Sequence, residues 1–297
     1  MNPFSRDIQD YPEGIVLPID KPYRWTSADV IRKLKYAAIK HFGKKNLKVG
    51  HAGTLDPLAT GVLIVCIGEA CKRAQQLQDT SKEYIATIRF GATTPSYDLE
   101  KDVDRSFPYE HITEETVAEA LKGFIGVQEQ VAPLFSAKSV DGVRAYELAR
   151  KLYRKGETDK IDALSLEMLH RSTIEISELE LLSFQPSLTG QNFSSAVVGE
   201  KFFDHFSEKK LLLREGRVVL SSASSRINVA DTSNLGLPEA TIRIACSKGT
   251  YIRAFARDLG EALGSGAHLA ALQRSRSGKY GIADCLSLDA ALQLLAL

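Results

Sequence analysis

The sequence predicts an α+β fold built on a mixed sheet, and three observations carry that expectation. Strand-like alternation of apolar and polar residues occurs in separated blocks, at 84–90, 174–182 and 241–246. Helical patterns fall between these blocks without the strict strand–helix alternation of a doubly wound parallel sheet. With 297 residues, 44% hydrophobic and 25% charged, the chain is long enough to bury one large core.

In chain order, Thr26 and Ser27 supply N-cap chemistry for a helix whose apolar positions Val30, Ile31, Leu34 and Ala38 recur at helical spacing, and Gly43 ends it. Its opposite face is basic. Residues 64–67 read as a buried strand and 69–77 as a helix. In 84–90, Tyr84, Ala86, Ile88 and Phe90 fall on one side of a half-exposed strand, with Tyr84 at its entrance. Thr113 with Thr116 opens a further helix, striped by Val117, Ala120 and Leu121. A turn-rich loop spans 133–142 and a short basic helix 145–153. Residues 247–250 turn the chain into a helix with Ile252, Phe255, Ala256, Leu259 and Leu263 on its buried stripe. Arg253 lies at the edge of that stripe, able to reach a neighbouring cleft. Leu288, Ala291, Leu292 and Leu295 mark a last amphipathic helix. The Ser-rich segment 184–238, whose short apolar cluster is Phe202, Phe203 and Phe206, reads as an insertion.

Charge and cysteine usage narrow the function. Net charge is only +1, yet nine Lys or Arg between Lys21 and Lys48 face a single acid, Asp29. Two further basic sets follow, Arg144, Arg150, Lys151, Arg154 and Lys155, then Arg274, Arg276 and Lys279. Basic stripes on a neutral chain suggest a focused phosphate-binding face, each stripe alone being equally consistent with a solvated helix surface. Cys66, Cys71, Cys246 and Cys285 form no CxxC pair and read as reduced packing residues of a cytoplasmic protein. The first residues lack a signal-peptide pattern, and no apolar run approaches the ~20 residues that cross a bilayer. No phosphate-binding glycine loop, GxSxG elbow or metal-spaced histidine set occurs.

The most informative stretch runs from Lys48 to Gly61, KVGHAGTLDPLATG. Pro57 keeps Asp56 out of helical geometry, and the glycines allow tight backbone paths, so a carboxylate is presented on a stiff turn. An ionised aspartate can act as a nucleophile or base at a sugar carbon, and a neighbouring arginine favours the charged form, for which Arg253 is the candidate. Tyr84 offers a π-face on which a nucleobase can stack.

These residues carry a resemblance. The block 51–63 (HAGTLDPLATGVL), the run Ile19-Asp20-Lys21-Pro22, Lys82-Glu83-Tyr84 and 246–253 (CSKGTYIR) resemble, in order, motifs of the TruB family of tRNA pseudouridine synthases. Ser136-Ala137-Lys138, Ala145-Tyr146-Glu147, Asp258-Leu259-Gly260-Glu261, Gly266-Ala267-His268, Leu272-Gln273-Arg274 and Lys279-Tyr280 extend the match to 14–183 and 240–292. The resemblance implies a pseudouridine synthase fold, with a central mixed, mainly antiparallel sheet flanked by helices and loops. It implies isomerisation of uridine 55 in the T loop of tRNA to pseudouridine, without metal or organic cofactor.

Matched by position, Asp56 resembles the catalytic aspartate, either attacking ribose C1′ or removing a C2′ proton. Tyr84 resembles the residue stacked on the target uracil, which can assist proton removal from C5, and Arg253 the partner of the aspartate. Lys21 resembles a supporting lysine, His51 the histidine associated with the flipped-out loop, Tyr251 and Leu272 pocket walls, and Asp98 a polar residue near the site. Basic residues of 21–48 and the 133–155 loop are then expected to meet the T arm of tRNA, with the protein a monomer and no membrane involved. Many bacterial members continue into a small RNA-binding domain of the PUA type, whereas this chain is expected to be one catalytic domain over 1–297, with an unusual insertion at 184–238. Two rival readings share the carboxylate: a tRNA chaperone of the elbow region with catalysis secondary, and an N-glycosidase that stops after bond cleavage.

Overall fold

The computed structural model describes residues 4–140, 142–187 and 227–296, together with the backbone of 213–214 and 217–218. Phe202, Phe203 and Phe206 lie outside the described residues. Among the described residues the centre of the fold is a ten-stranded sheet. Its strands are β1 (Ile15–Lys21), β2 (Val49–Ala52), β3 (Ala59–Ile67), β4 (Lys82–Phe90), β5 (Gly126–Gln130), β6 (Ser172–Gln185), β7 (Glu239–Cys246), β8 (Ala267–Ser277), β9 (Tyr280–Gly281) and β10 (Leu286–Ser287). The order is β10-β1-β3-β8-β4-β7-β6-β5, with β2 also on β3 and β9 on β8. Only β1 with β10 and β3 with β8 are parallel. The remaining pairings are antiparallel, as expected for an α+β sheet of this kind.

Helices cover this sheet in the order α1 (Ser27–Phe42), α2 (Ala74–Gln78), α3 (Glu114–Lys122), α4 (Ala145–Arg154), α5 (Asp159–Met168), α6 (Ile252–Ala262) and α7 (Leu288–Leu294). Thr26 caps α1 in a reciprocal box with Asp29, and Gly43 closes it at φ 62°. The expected helix at 69–77 is instead a 3₁₀ turn, Gly68–Arg73, running into the short α2; Gly68 leaves β3 at φ 67° and the chain tightens there before it can open into α-helix. The strand expected at 64–67 begins earlier, at Ala59, and β6 continues into the segment read as insertion, pairing Gln185 with Glu239.

Two apolar clusters flank one seam. Ile19, Leu63 and Val65 of the sheet cluster with Val30 and Leu34 of α1 and Leu288 of α7, while Ile88, Phe90, Ile242 and Ile244 cluster with Val117 of α3 and Phe255 and Leu259 of α6. Each such side chain contributes about 1.5–3 kcal/mol by leaving water. Tyr84 and Leu272 are partly buried against both clusters, so they mark the seam. Along one edge of β3, residues 59–61 pair with β8 and residues 64–67 pair with β2. The loop from β2 back to β3 must therefore cross where β2 and β8 part, and Asp56 is in that loop. Among the described residues no helix is long and apolar enough to cross a membrane.

Gly61 is required at this crossing, with φ 96° and a position for a Cβ only 2.3 Å from the Arg274 carbonyl oxygen. Because the obstacle is backbone in the β3–β8 ladder, Gly61→Ala is expected to cost roughly 2–4 kcal/mol. Thermal unfolding of the variant tests this; an unchanged Tm would show that the ladder yields freely.

Candidate active site

Four buried side chains fix the Asp56 loop from different directions. Ser27, the first residue of α1, donates its hydroxyl to the Leu55 carbonyl at 3.0 Å and accepts from the Leu55 N–H at 2.9 Å. Lys21, at the end of β1, is fully buried and donates Nζ to the carbonyls of Pro22 (2.9 Å), Trp25 (2.6 Å) and Pro57 (3.2 Å). Arg274 folds back from β8 to donate to the carbonyls of Val62 (2.7 Å), Gly53 (3.1 Å) and Thr54 (3.4 Å). Between them these donors occupy the loop carbonyls of Gly53, Thr54, Leu55 and Pro57, which would otherwise be buried without partners.

The fourth is Arg253, in the first turn of α6. Its Nε lies 2.8 Å from Asp56 Oδ2 and its Nη2 donates to Asp56 Oδ1 at 3.0 Å, a two-pronged grip on one carboxylate. The same guanidinium donates to the carbonyls of Ser96 (3.2 Å) and Phe135 (3.0 Å), and its Nε is 3.7 Å from Asp98 Oδ2. Burial works against its charge, yet Asp56, Asp98 and Glu100 outweigh that and raise its pKa. Asp98 is buried too; burial pushes its carboxyl up against the opposing pull of Arg253, and it accepts from Ser96 Oγ (2.7 Å) and the Glu100 N–H (2.9 Å). Burial, reinforced by Asp98, lifts Glu100 to about 7.

Asp56 is left partly exposed, its side chain 36% accessible against 6% for Arg253 and 7% for Asp98. It opens into a solvent-open cleft of about 280 Å³, walled by Leu58, Leu99, Leu269 and Leu272 and charged by Asp56, Asp98 and Arg253. The arrangement is an apolar pocket with one accessible carboxylate offered to a guest and a guanidinium fixed behind it.

Of the other residues singled out in the sequence, Tyr84, Tyr251 and Lys21 surround Asp56 closely enough to feel its charge. Burial raises the Tyr84 phenol, with Arg274 pulling the other way. Tyr251 caps α6, its backbone clasped by Gln130 through Oε1 (2.8 Å) and Nε2 (3.2 Å), and burial raises its phenol. His51 sits on β2, where burial and then Arg274 lower its pKa, and its Nδ1 has no hydrogen-bond partner. Two residues assigned to basic stripes are not on the surface: Lys21 and Arg274 are 0% and 2% exposed, because each turns inward to loop carbonyls. Arg32, Lys33, Lys35, Lys40, Lys44, Lys45 and Lys48 do stay exposed along and after α1, as do Arg150, Lys151 and Arg154 on α4. Ser27 was hidden as a second capping residue, and Arg274 as one cation of a polar run.

A family model for the N-terminal domain of TruB family pseudouridylate synthases matches residues 39–201, and one for the C-terminal domain of tRNA pseudouridylate synthase B matches 253–296. The chain belongs to the TruB family. It is thus a pseudouridine synthase, an isomerase. A protein named tRNA pseudouridine synthase B from Phocaeicola vulgatus is 45% identical over 280 residues, 94% of this chain and 92% of that one. One of the same name from Flavobacterium johnsoniae is 38% identical over 281 residues, covering 94% and 95%. Among solved structures, a Cbf5-Nop10-Gar1 complex superposes with TM-score 0.56 at 22% identity, and an H/ACA RNP bound to a substrate RNA containing 2′-deoxyuridine with TM-score 0.55 at 19%. They share the fold; 97% and 98% of this chain is covered, but only 56% and 57% of those chains.

Lys21 gives the site a measurable signature. Burial first, opposed by Asp56 and Asp20, brings its pKa from 10.5 to about 7. Between these values the unfolded chain binds the extra proton, so this group makes stability rise with pH, at about 1.4 kcal/mol per unit. Lys21→Met removes that slope. Urea unfolding at about pH 7 and about pH 9 should show wild type gaining on the variant with pH; a constant difference would place the Lys21 charge in water.

Proposed function

We propose that this chain isomerises uridine 55 in the T loop of tRNA to pseudouridine, with Asp56 as the catalytic carboxylate acting on a uridine flipped into the cleft. The observation that carries the reading is the Arg253 fork: it holds an accessible carboxylate at the mouth of an apolar cleft while burying its own charge. The relatives named tRNA pseudouridine synthase B supply the substrate class.

In the reaction the ribose C1′–N1 bond breaks, the retained uracil turns, C1′–C5 forms, C5 loses its proton and N1 gains one. Asp56 serves either as nucleophile, adding to C1′ and leaving when C5 attacks, or as base, taking the C2′ proton and returning it. Arg253 orients the carboxylate and keeps a positive charge beside it at every stage. Tyr84, at the seam of the two cores, stacks on the uracil and assists departure of the C5 proton. Leu272 and Tyr251 wall the pocket, and His51 meets the loop from which the base is withdrawn. Lys21, wholly buried, acts by holding the Pro57 carbonyl.

Flipping costs roughly a few kcal/mol, which stacking on an aromatic ring and burial against the leucines offset. The exposed cations of α1 and α4 form the T-arm contacts; α4 belongs to the block packed on Phe135, whose carbonyl is bonded to Arg253. We read the whole as one catalytic domain acting as a monomer without a metal.

The test uses unmodified tRNA tritiated at C5 of uridine. Wild type should release tritium without added metal, and Asp56→Asn should bind the same tRNA and release none. Release by the variant, or none by wild type, would remove Asp56 or the reaction from the proposal.

A further inference from the structure

Arg24 is one of two non-glycine residues with positive φ among the described residues, at 60°. A left-handed backbone at a side-chain-bearing residue persists only where its surroundings hold it. Lys21 Nζ, bonded to the Pro22 and Trp25 carbonyls, fixes the backbone on either side of Arg24, and the side chain reaches the far end of the 184–238 segment: its Nη2 donates to the Ile227 carbonyl at 2.7 Å. Three residues on, the Ala230 N–H donates to the Leu99 carbonyl at 2.8 Å. Two further on, buried Thr232 accepts from Arg89 Nη1 at 2.8 Å, and Arg89 is itself paired with Glu239 at 2.7 Å.

The stem 227–232 is therefore stitched at three points, and the middle one falls on the active site. Leu99 lines the cleft and follows Asp98 directly. The turn that carries both is held on its other side by β8, through Leu269 N–H to the Tyr97 carbonyl at 3.0 Å and a bridge between Asp98 and Leu269. The Ser96 carbonyl of the same turn accepts from Arg253. Without the stem, the backbone bond on the Leu99 side of this turn is lost and the pairing with Leu269 remains.

We propose that Arg24 and the stem 227–232 are positioning elements of the active site: they clamp the 96–99 turn against β8, and so set Asp98 and the Ser96 carbonyl against Arg253. The end of the 184–238 segment thereby backs one wall of the cleft through Leu99. This rests on the reading of Asp56 and Arg253 as the catalytic pair, and the test separates the two.

Arg24→Gly removes the guanidinium and at the same time relieves the backbone, since glycine adopts φ 60° freely. Ala230→Pro removes the N–H that reaches Leu99. Both are assayed beside Asp56→Asn for unfolding midpoint, tRNA affinity and single-turnover rate constant. Arg24→Gly should unfold no earlier than wild type and bind tRNA equally, yet react roughly ten- to a hundredfold more slowly, with Ala230→Pro slowed likewise. Wild-type rate constants in both variants, or a defect confined to tRNA affinity, would overturn the clamp while leaving the catalytic pair intact. Full activity in Asp56→Asn would overturn the catalytic reading beneath it.

Discussion

A guanidinium with almost no access to water, held between two carboxylates, is the constraint around which this molecule is arranged. Removing Arg253 from solvent is costly unless its charge is matched and its N–H groups find acceptors. Asp56 takes two prongs, Asp98 stands 3.7 Å away, and the carbonyls of Ser96 and Phe135 accept from two more N–H groups. Four separate pieces of chain must converge for that to occur. The β2–β3 loop brings Asp56, the turn after β4 brings Ser96 and Asp98, the segment after β5 brings Phe135, and α6 brings Arg253. The sheet order places these pieces side by side although the ion pair spans 197 residues of sequence.

The convergence also divides labour between the two acids. Asp98, buried and bonded to Ser96 and Glu100, is fixed; Asp56, more than a third exposed, is offered to the cleft. A shared cation can stabilise an exposed carboxylate because a second carboxylate keeps the cation in place. Rigidity of the Asp56 loop has the same origin. Lys21, Ser27 and Arg274 spend their donors on loop carbonyls instead of solvent, which makes the loop part of the core despite its position at a cleft.

Much of the sheet was legible because one face is buried. Strands β4, β6 and β7 alternate visibly, and the box of Thr26 with Asp29 and the glycine at position 43 delimit α1 as read. β1 was missed because Pro18 interrupts it; β10 pairs only Ile19 and Asp20, so most of that edge carries no ladder, the setting in which a strand tolerates proline. β8 was missed because its second half, Gln273 to Ser277, is polar, and its inward arginine reads as surface charge until the Gly53 and Thr54 carbonyls are placed beneath it. Asp56 stood out through its turn chemistry, whereas the partnership of Asp98 and Arg253 depends on contacts no local pattern encodes.

The Arg253 fork is tested by the single-turnover rate of Arg253→Lys, with tRNA binding followed in parallel. Lysine retains the charge but has no planar fork, so it cannot grip both Asp56 oxygens while also meeting Ser96 and Phe135. Arg253→Lys should bind tRNA with unchanged affinity and react with a rate constant lower by roughly a hundredfold or more. A near wild-type rate would show instead that positive charge alone, without the fork, is what Asp56 requires.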